Sequence, residues 1–176
     1  MAISRLNHAV LYVRDVSRTV AFYRDVLGFS LRHEIPGGVG AFLQAPDSTN
    51  DHDIAFFGVG AGAGDSQAGR ATVGLYHLAW EVQTLDDLEE HAARLSEAGA
   101  LVGASDHGTT KSLYAKDPDG LEFEVVWIIP AHLLDAEAIQ SGKGRILPLD
   151  LAKEKARYGA QTRGGLGISI PLGVTV

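Results

Sequence analysis

His8, His77 and Glu124 are the residues of this 176-residue chain whose types and settings could do chemistry together. His8 lies in the alternating stretch LNHAVLYV, which begins at Leu6, and His77 in LYHLAWEV, which begins at Leu75. An offset of 69 residues pairs Leu6 with Leu75, His8 with His77, Val10 with Ala79, Val13 with Val82 and Val16 with Leu85, the signature of an internal repeat. Glu124 falls in LEFEVVW, where alternation puts two carboxylates on one strand face next to valines and a tryptophan. An unpaired carboxylate on a buried face must take up a proton or carry a large desolvation cost, whereas a divalent cation keeps it ionised. Two neutral imidazoles and one carboxylate on one side of an octahedral ion suit non-haem Fe(II), and leave positions for a substrate bound through two oxygens and for O2 beside it. Taken singly, each histidine reads as a hydrogen-bonded core residue, and Glu124 as a solvated acid on an edge strand. Recurrence of histidine at equivalent positions is what favours a shared ion.

The elements that must position these residues follow from periodicity. After each histidine strand comes a helical pattern, Ser17 to Leu27 and Asp86 to Ala98, ending near Gly28 and Gly99, with Asp86 resembling an N-cap. Strand-like runs follow: FSLRHEI, GAFLQA and HDIAFFGV in the first half, then ALVGA, KSLYAKD and LEFEVVWII in the second. Each half reads β-α-β-β-β. The expected fold class is α+β, two βαβββ modules forming a curved mixed sheet around a metal site, with a C-terminal extension. Module one covers residues 4–60 and module two 73–130, so that 1–130 form one domain. Residues 58–74, rich in Gly and Ala and lacking a phosphate-loop Lys or Rossmann spacing, are expected to be a flexible connector. Residues 131–176 form the extension, with two short helical patterns and an apolar, glycine-punctuated end. Alternation groups His8 with Leu6, Val10 and Tyr12, and His77 with Leu75 and Ala79, faces expected to meet a core.

Composition narrows the function further. With 45% hydrophobic residues the chain can bury a sizeable interior. Its formal charge of −7 and the lack of a dense basic stretch argue against nucleic acid. There is no cysteine, which excludes disulfides, thiol catalysis and thiolate metal ligands, and fits a cytoplasmic setting. The N-terminus has no signal-peptide pattern, and the apolar run from Val125 to Leu134 is too short to span a bilayer, so no membrane partner is expected. A homodimer is left open on general grounds.

The paired modules, the histidines at His8 and His77, and DPDGLEFE with its glutamate four residues after the turn glycine resemble the vicinal oxygen chelate superfamily. That superfamily includes glyoxalase I, antibiotic-resistance proteins and extradiol ring-cleaving dioxygenases, and the resemblance covers residues 4 to 130. HDIAF, starting at His52, is similar to the segment in which the extradiol branch carries its acid-base histidine. DHG, with His107, resembles the segment whose histidine hydrogen-bonds substrate, although its interval to Tyr114 is shorter than the family's. Tyr114 stands where that branch has its active-site tyrosine. The resemblance implies an Fe(II)-dependent dioxygenase, with Mn(II) or another divalent metal as the alternative, acting on a small catechol-type vicinal diol with O2. His8, His77 and Glu124 would be the metal ligands, and His52, His107 and Tyr114 the catalytic residues.

Two other readings stay open: a glyoxalase I-like isomerase or lyase, wanting a fourth ligand near the end of module one, and a metal-free drug-binding resistance protein. If Asp117 pairs with Leu121, Tyr114 falls opposite Glu124; a slip of one residue puts it opposite Phe123. Phe56, Phe57, Trp80, Phe123 and Trp127 are available to line an apolar pocket. His33, His91 and His132 receive no role, His91 being expected on a solvated helix face.

Overall fold

The protein is described by a computed structural model covering residues 2–3, 5–68, 71–141 and 146–165. Its backbone forms two compact units, Met1–Gln67 with Asp117–Leu121, and Ala68–Lys116 with Glu122–Val176. Both units are mixed α+β, each with its own sheet, as the two-module reading expects.

In the first unit β1 (Ala9–Val13), α1 (Val16–Asp25), β2 (Ser30–Ile35), β3 (Gly40–Gln44) and β4 (Ile54–Gly58) give the sheet order β1-β4-β3-β2. β1 runs parallel to β4, and the other neighbours are antiparallel. Alternation sends Val13, Ala41, Leu43, Ile54 and Phe56 into the core, where the helix buries Val16, Val20 and Tyr23. Asp15 starts α1 by accepting from the Arg18 amide at 3.0 Å. Gly28 ends it at φ 79°, the left-handed geometry a helix C-terminus favours. Arg14, just after β1, clamps the Asp117–Leu121 turn: its amide donates to Asp119 Oδ2 at 2.8 Å and its guanidinium to Oδ1 at 3.0 Å. The same guanidinium holds the connector, reaching the Ala63 carbonyl at 3.1 Å and Asp65 at 2.5 Å.

The second unit repeats the plan with β5 (Leu78–Glu81), α2 (Leu85–Glu97), β6 (Leu101–Asp106), β7 (Thr110–Lys116) and β8 (Glu122–Ile128). A two-residue strand, β9 (Leu147–Pro148), extends the order to β5-β8-β7-β6-β9. Leu85, Leu88 and Leu95 of α2 are buried, as are Leu113, Phe123, Val125 and Trp127 of the sheet. The extension adds a 3-10 turn at Ala131–Leu133, α3 (Ala136–Ser141) and α4 (Leu151–Tyr158), the last packed beside α2. Beyond α4 the Trp127 indole donates to the Thr162 carbonyl at 3.2 Å, and a Cβ on Gly164 would lie 2.5 Å from the Ile128 carbonyl oxygen. Most of the apolar end expected to pack, residues 166–176, lies outside the described residues. Among the described residues no helix is long and apolar enough to cross a membrane.

The 69-residue offset extends to strand register. Val10 pairs with Ala55 in the first sheet, and Ala79 with Glu124 in the second. On the other side, Phe42 lies opposite Ala55, and Tyr114 opposite Glu124. Asp117 does pair with Leu121, amide to carbonyl at 3.0 Å, and that fixes the Tyr114 register.

Four expectations are corrected. The N-cap of α2 is Thr84, not Asp86: Thr84 Oγ1 accepts from the Asp87 amide while the Asp87 carboxylate accepts from the Thr84 amide, a capping box that Asp86 cannot make. The faces bearing His8 and His77 are open rather than core-facing, since Leu6, Val10, Tyr12 and Leu75 are all more than half exposed. The helix in each unit covers the opposite face. Phe56, Phe123 and Trp127 are on that covered side and fully buried, so they line no pocket. His91 is half-buried rather than solvated, and burial lowers its pKa.

Candidate metal centre

In the second unit four of the singled-out residues form a continuous row. His77 directly precedes β5, Glu124 is on the neighbouring β8, Tyr114 on β7, and His107 in the loop between β6 and β7. His77 Nε2 is 3.1 Å from Glu124 Oε2, the Tyr114 hydroxyl 3.5 Å from Glu124 Oε1, and His107 Nε2 2.8 Å from the Tyr114 hydroxyl. β8 lies inside the sheet between β5 and β7, and the Glu124 side chain is 12% exposed. Glu124 is therefore not a solvated edge-strand acid. Burial first, and then the Glu124 charge, push the Tyr114 phenol pKa up, so its proton is retained through the neutral range. The shorter interval between His107 and Tyr114 does not keep the two apart.

The first unit gathers the other two singled-out residues. His8, directly before β1, and His52, two residues before β4, have ring centroids 4.5 Å apart. Phe42 of β3 meets the His52 ring edge-on, with centroids 5.1 Å apart. Each imidazole is held through Nδ1, His8 to Asn7 Oδ1 and His52 to Asp51 Oδ2, both at 2.8 Å. If Nδ1 carries the proton, Nε2 of each ring keeps a free lone pair, the arrangement a metal ligand or a base needs. The hydrogen bond from His52 holds the Asp51 carboxyl below its usual range, so Asp51 stays an acceptor.

The sequence grouped His8, His77 and Glu124; the described residues bring His77 and Glu124 into contact and pair His8 with His52 in the other unit. Among the described residues no group of three or more His, Asp or Glu stands ready to hold one ion. The donor chemistry within the second unit nonetheless fits a divalent cation. Ligands about 2.1 Å from one ion and at right angles lie about 3 Å apart, which matches the 3.1 Å between His77 Nε2 and Glu124 Oε2.

Three features escaped sequence reasoning. Ala55, fully buried, occupies in module one the register position that Glu124 holds in module two. Phe42 similarly stands where module two has Tyr114. Both were findable only from strand register. The third is Lys111, which alternation puts with Leu113 and Ala115 on the covered side of β7; a lysine in that row was the available signal.

Residues 5–125 match the Glyoxalase/Bleomycin resistance protein/Dioxygenase superfamily. Biphenyl-2,3-diol 1,2-dioxygenase 3 of Rhodococcus globerulus is 37% identical over 117 residues, covering 66% of this chain and 59% of that protein. The chain thus spans less than two thirds of that relative's length. Lactoylglutathione lyase of Neisseria meningitidis is 30% identical over 138 residues, covering 69% of this chain and 89% of that protein. Among solved structures, a glyoxylase/bleomycin resistance protein/dioxygenase domain from Frankia sp. EAN1pec superposes with a TM-score of 0.60 at 23% identity, covering 71% of this chain and 92% of that one.

Proposed function

The chain belongs to the Glyoxalase/Bleomycin resistance protein/Dioxygenase superfamily, and within it we propose an Fe(II)-dependent extradiol dioxygenase that opens the ring of a small catechol-type diol with O2. The observation that carries this reading is the row His77, Glu124, Tyr114 and His107, in which each polar group lies within 3.5 Å of the next. Similarity to the Rhodococcus biphenyl-2,3-diol 1,2-dioxygenase 3 supports a dioxygenase acting on an aromatic diol.

On this proposal His77 and Glu124 would be ligands of the metal, Fe(II) in preference to Mn(II), and His8 keeps the ligand role that the sequence resemblance implies. A bound divalent metal supplies Lewis acidity toward the diol oxygens and, as Fe(II), the redox capacity that O2 chemistry requires. The protein's own groups then divide the remaining work. The Tyr114 hydroxyl, protonated at neutral pH, and His107 offer hydrogen bonds to substrate oxygens and fix the plane of the ring. His52, steadied by Asp51 through Nδ1, exchanges a proton with substrate through Nε2. Phe42 and Phe57, with ring centroids 6.0 Å apart on the open side of the first sheet, supply apolar surface for an aromatic substrate. Residues 1–130 carry this chemistry, with 131–176 as an extension.

A second reading, a metal-dependent isomerase, draws support from the similarity to the Neisseria lyase, which this chain matches over most of its length. That class would want a fourth ligand from module one. Ala55 at the position equivalent to Glu124 offers none, which favours the three-ligand dioxygenase.

The test is anaerobic reconstitution with Fe(II), then exposure to a panel of catechols in air while oxygen uptake and the yellow colour of ring-opened products are followed. Stoichiometric oxygen consumption is expected. Metal uptake without oxygen consumption would move the protein to the isomerase class, and failure to bind any divalent metal would remove both. His52→Ala should keep its iron and lose turnover; unchanged turnover would take the proton-transfer role from His52.

A further inference from the structure

Lys111 is a charged residue in the interior of the second unit, 1% exposed and on the covered side of β7. An ammonium group there needs its three donors served by oxygens. Two oxygens accept from it, Asp106 Oδ1 at 2.5 Å and the Gly108 carbonyl at 3.3 Å, and Glu154 Oε2 lies 3.0 Å away as an ion-pair contact without hydrogen-bond geometry. Two of these belong to the residues on either side of His107. Asp106 Oδ1 also accepts from the Gly108 amide at 2.7 Å, and Gly108 turns the chain at φ 79°, so the residues flanking His107 are fastened to each other as well. His107 itself closes the loop through backbone bonds with Thr110 and Thr109, each 3.0 Å.

Glu154 comes from α4, in the C-terminal extension, and is 2% exposed. Asp150 caps that helix by accepting from the Lys153 amide at 3.0 Å, and Lys155 anchors it to Asp86 and Glu89 of α2, each at 2.6 Å. The helix that carries Glu154 is thereby fixed to the same unit.

We propose that Lys111 is a positioning residue for His107: held from α4 by Glu154, it grips Asp106 and Gly108 and so directs the His107 ring toward the Tyr114 hydroxyl. The role assigned to His107 in substrate binding rests on the ring-cleavage reading above; the positioning of its ring does not. Asp106 and Lys111 are register partners across β6 and β7, and the same ammonium reaches on to the Gly108 carbonyl, so both neighbours of His107 are held by one group. The extension, for which the sequence suggested no role, becomes part of the support of the candidate site.

The experiment separates support from stability. Replacing a buried ion pair by apolar residues of similar volume is often neutral for folding, so Lys111→Met combined with Glu154→Met is made in the full chain. The His107 ring is followed by 15N NMR in the metal-free protein, and turnover in the Fe(II)-loaded protein. The expected result is a double variant that folds with a lowered melting temperature, because Asp106 loses its ammonium partner, and that has a shifted His107 Nε2 resonance and keeps its metal content. Its kcat on catechol should fall by about tenfold, the range expected when a supporting group is lost. A folded double variant with an unmoved His107 resonance would overturn the proposal. Should the double variant fail to fold, Glu154→Gln, which keeps the volume and removes the charge, is read by the same resonance with the same two outcomes. If the wild type consumes no oxygen with any catechol, the ring-cleavage reading falls, and the resonance still decides whether Lys111 positions His107.

Discussion

Ala55 stands between Val10 and Phe42 in the first sheet, while Glu124 stands between Ala79 and Tyr114 in the second. The backbone register is the same, and the chemistry is opposite. In module one that central row is apolar and the polar side chains beside it are the loop histidines His8 and His52, whereas in module two the row itself is polar, with His77 3.1 Å from Glu124 and hydrogen bonds from Glu124 through Tyr114 to His107. The loops entering the last strand differ in the same sense. Asp53 ahead of β4 accepts from the Ala45 amide, the Ser48 hydroxyl and the Asn50 side chain at 2.7–2.8 Å, so its carboxylate is well served. Asp117 ahead of β8 has Oδ1 bonded to the Asp119 and Leu121 amides, but Oδ2 is buried without a hydrogen-bond partner among the described residues. A duplicated frame therefore does not imply a duplicated site: one copy offers aromatic surface and the other offers charge.

Removing the charge from the second sheet gives the largest expected effect. Glu124→Ala, which makes that row resemble module one, should abolish stoichiometric iron binding and lower turnover by more than about 100-fold, beyond the range for loss of a supporting group; metal analysis of the purified variant checks it. Full iron content would show that the carboxylate is dispensable.

The reverse exchange comes next. Ala55→Glu installs the missing carboxylate at a fully buried position, and without a cation it should cost about 3–5 kcal/mol, read as a lower urea midpoint. If added divalent metal restores the midpoint, the two sheets are interchangeable in metal chemistry; if it does not, they are not.

Asp117→Asn tests the loop difference through pH. Burial raises the Asp117 pKa from 3.8 to about 6, so as pH rises the unfolded chain releases this proton first. Stability contributed by the protonated form is lost between about pH 4 and 6 and stays lost above that window. The amide keeps the Oδ1 acceptor and cannot ionise. The variant should equal the wild type near pH 4 and exceed it at pH 7 by up to about 3 kcal/mol, measured by urea unfolding at both values. Parallel profiles would mean that folding does not raise the Asp117 pKa.

The smallest effect belongs to Tyr114→Phe, which gives module two the Phe42 side chain. Losing the hydroxyl between His107 and Glu124 removes a hydrogen-bond link worth about 1 kcal/mol, so kcat should fall by about fivefold with iron content unchanged. A change in iron content instead would assign the hydroxyl to metal retention.

The frame of this contrast, though not the contrast itself, was legible in the sequence. The repeat and the strands follow from alternation and from the DPDG turn, which are local signals, whereas the Tyr114 register stayed open between Glu124 and Phe123 until the Asp117–Leu121 bond fixed it. What alternation cannot tell is which face a helix will cover, and for that reason the His8 and His77 faces were expected to be core. The α2 cap was misplaced because Thr84, Asp86 and Asp87 are all cap-forming types, and only the reciprocal Thr84–Asp87 bonds choose among them. Lys111 was passed over because alternation does not show that Asp106 shares its face across the β6–β7 turn, and its second counter-charge, Glu154, is 43 residues away in the sequence. The meeting of His77 with Glu124, by contrast, was anticipated from residue types, because a buried acid beside a strand-start histidine has few other reasons to exist.

Trp127 has a use independent of catalysis. It is one of two tryptophans in the chain, fully buried, and its indole is bonded to Thr162 and lies 5.8 Å from the Tyr158 ring, both in the C-terminal extension. Any event that lifts that segment away would wet the indole, so the wavelength of its fluorescence emission is a label-free optical gauge of docking that needs no substrate, metal or added dye.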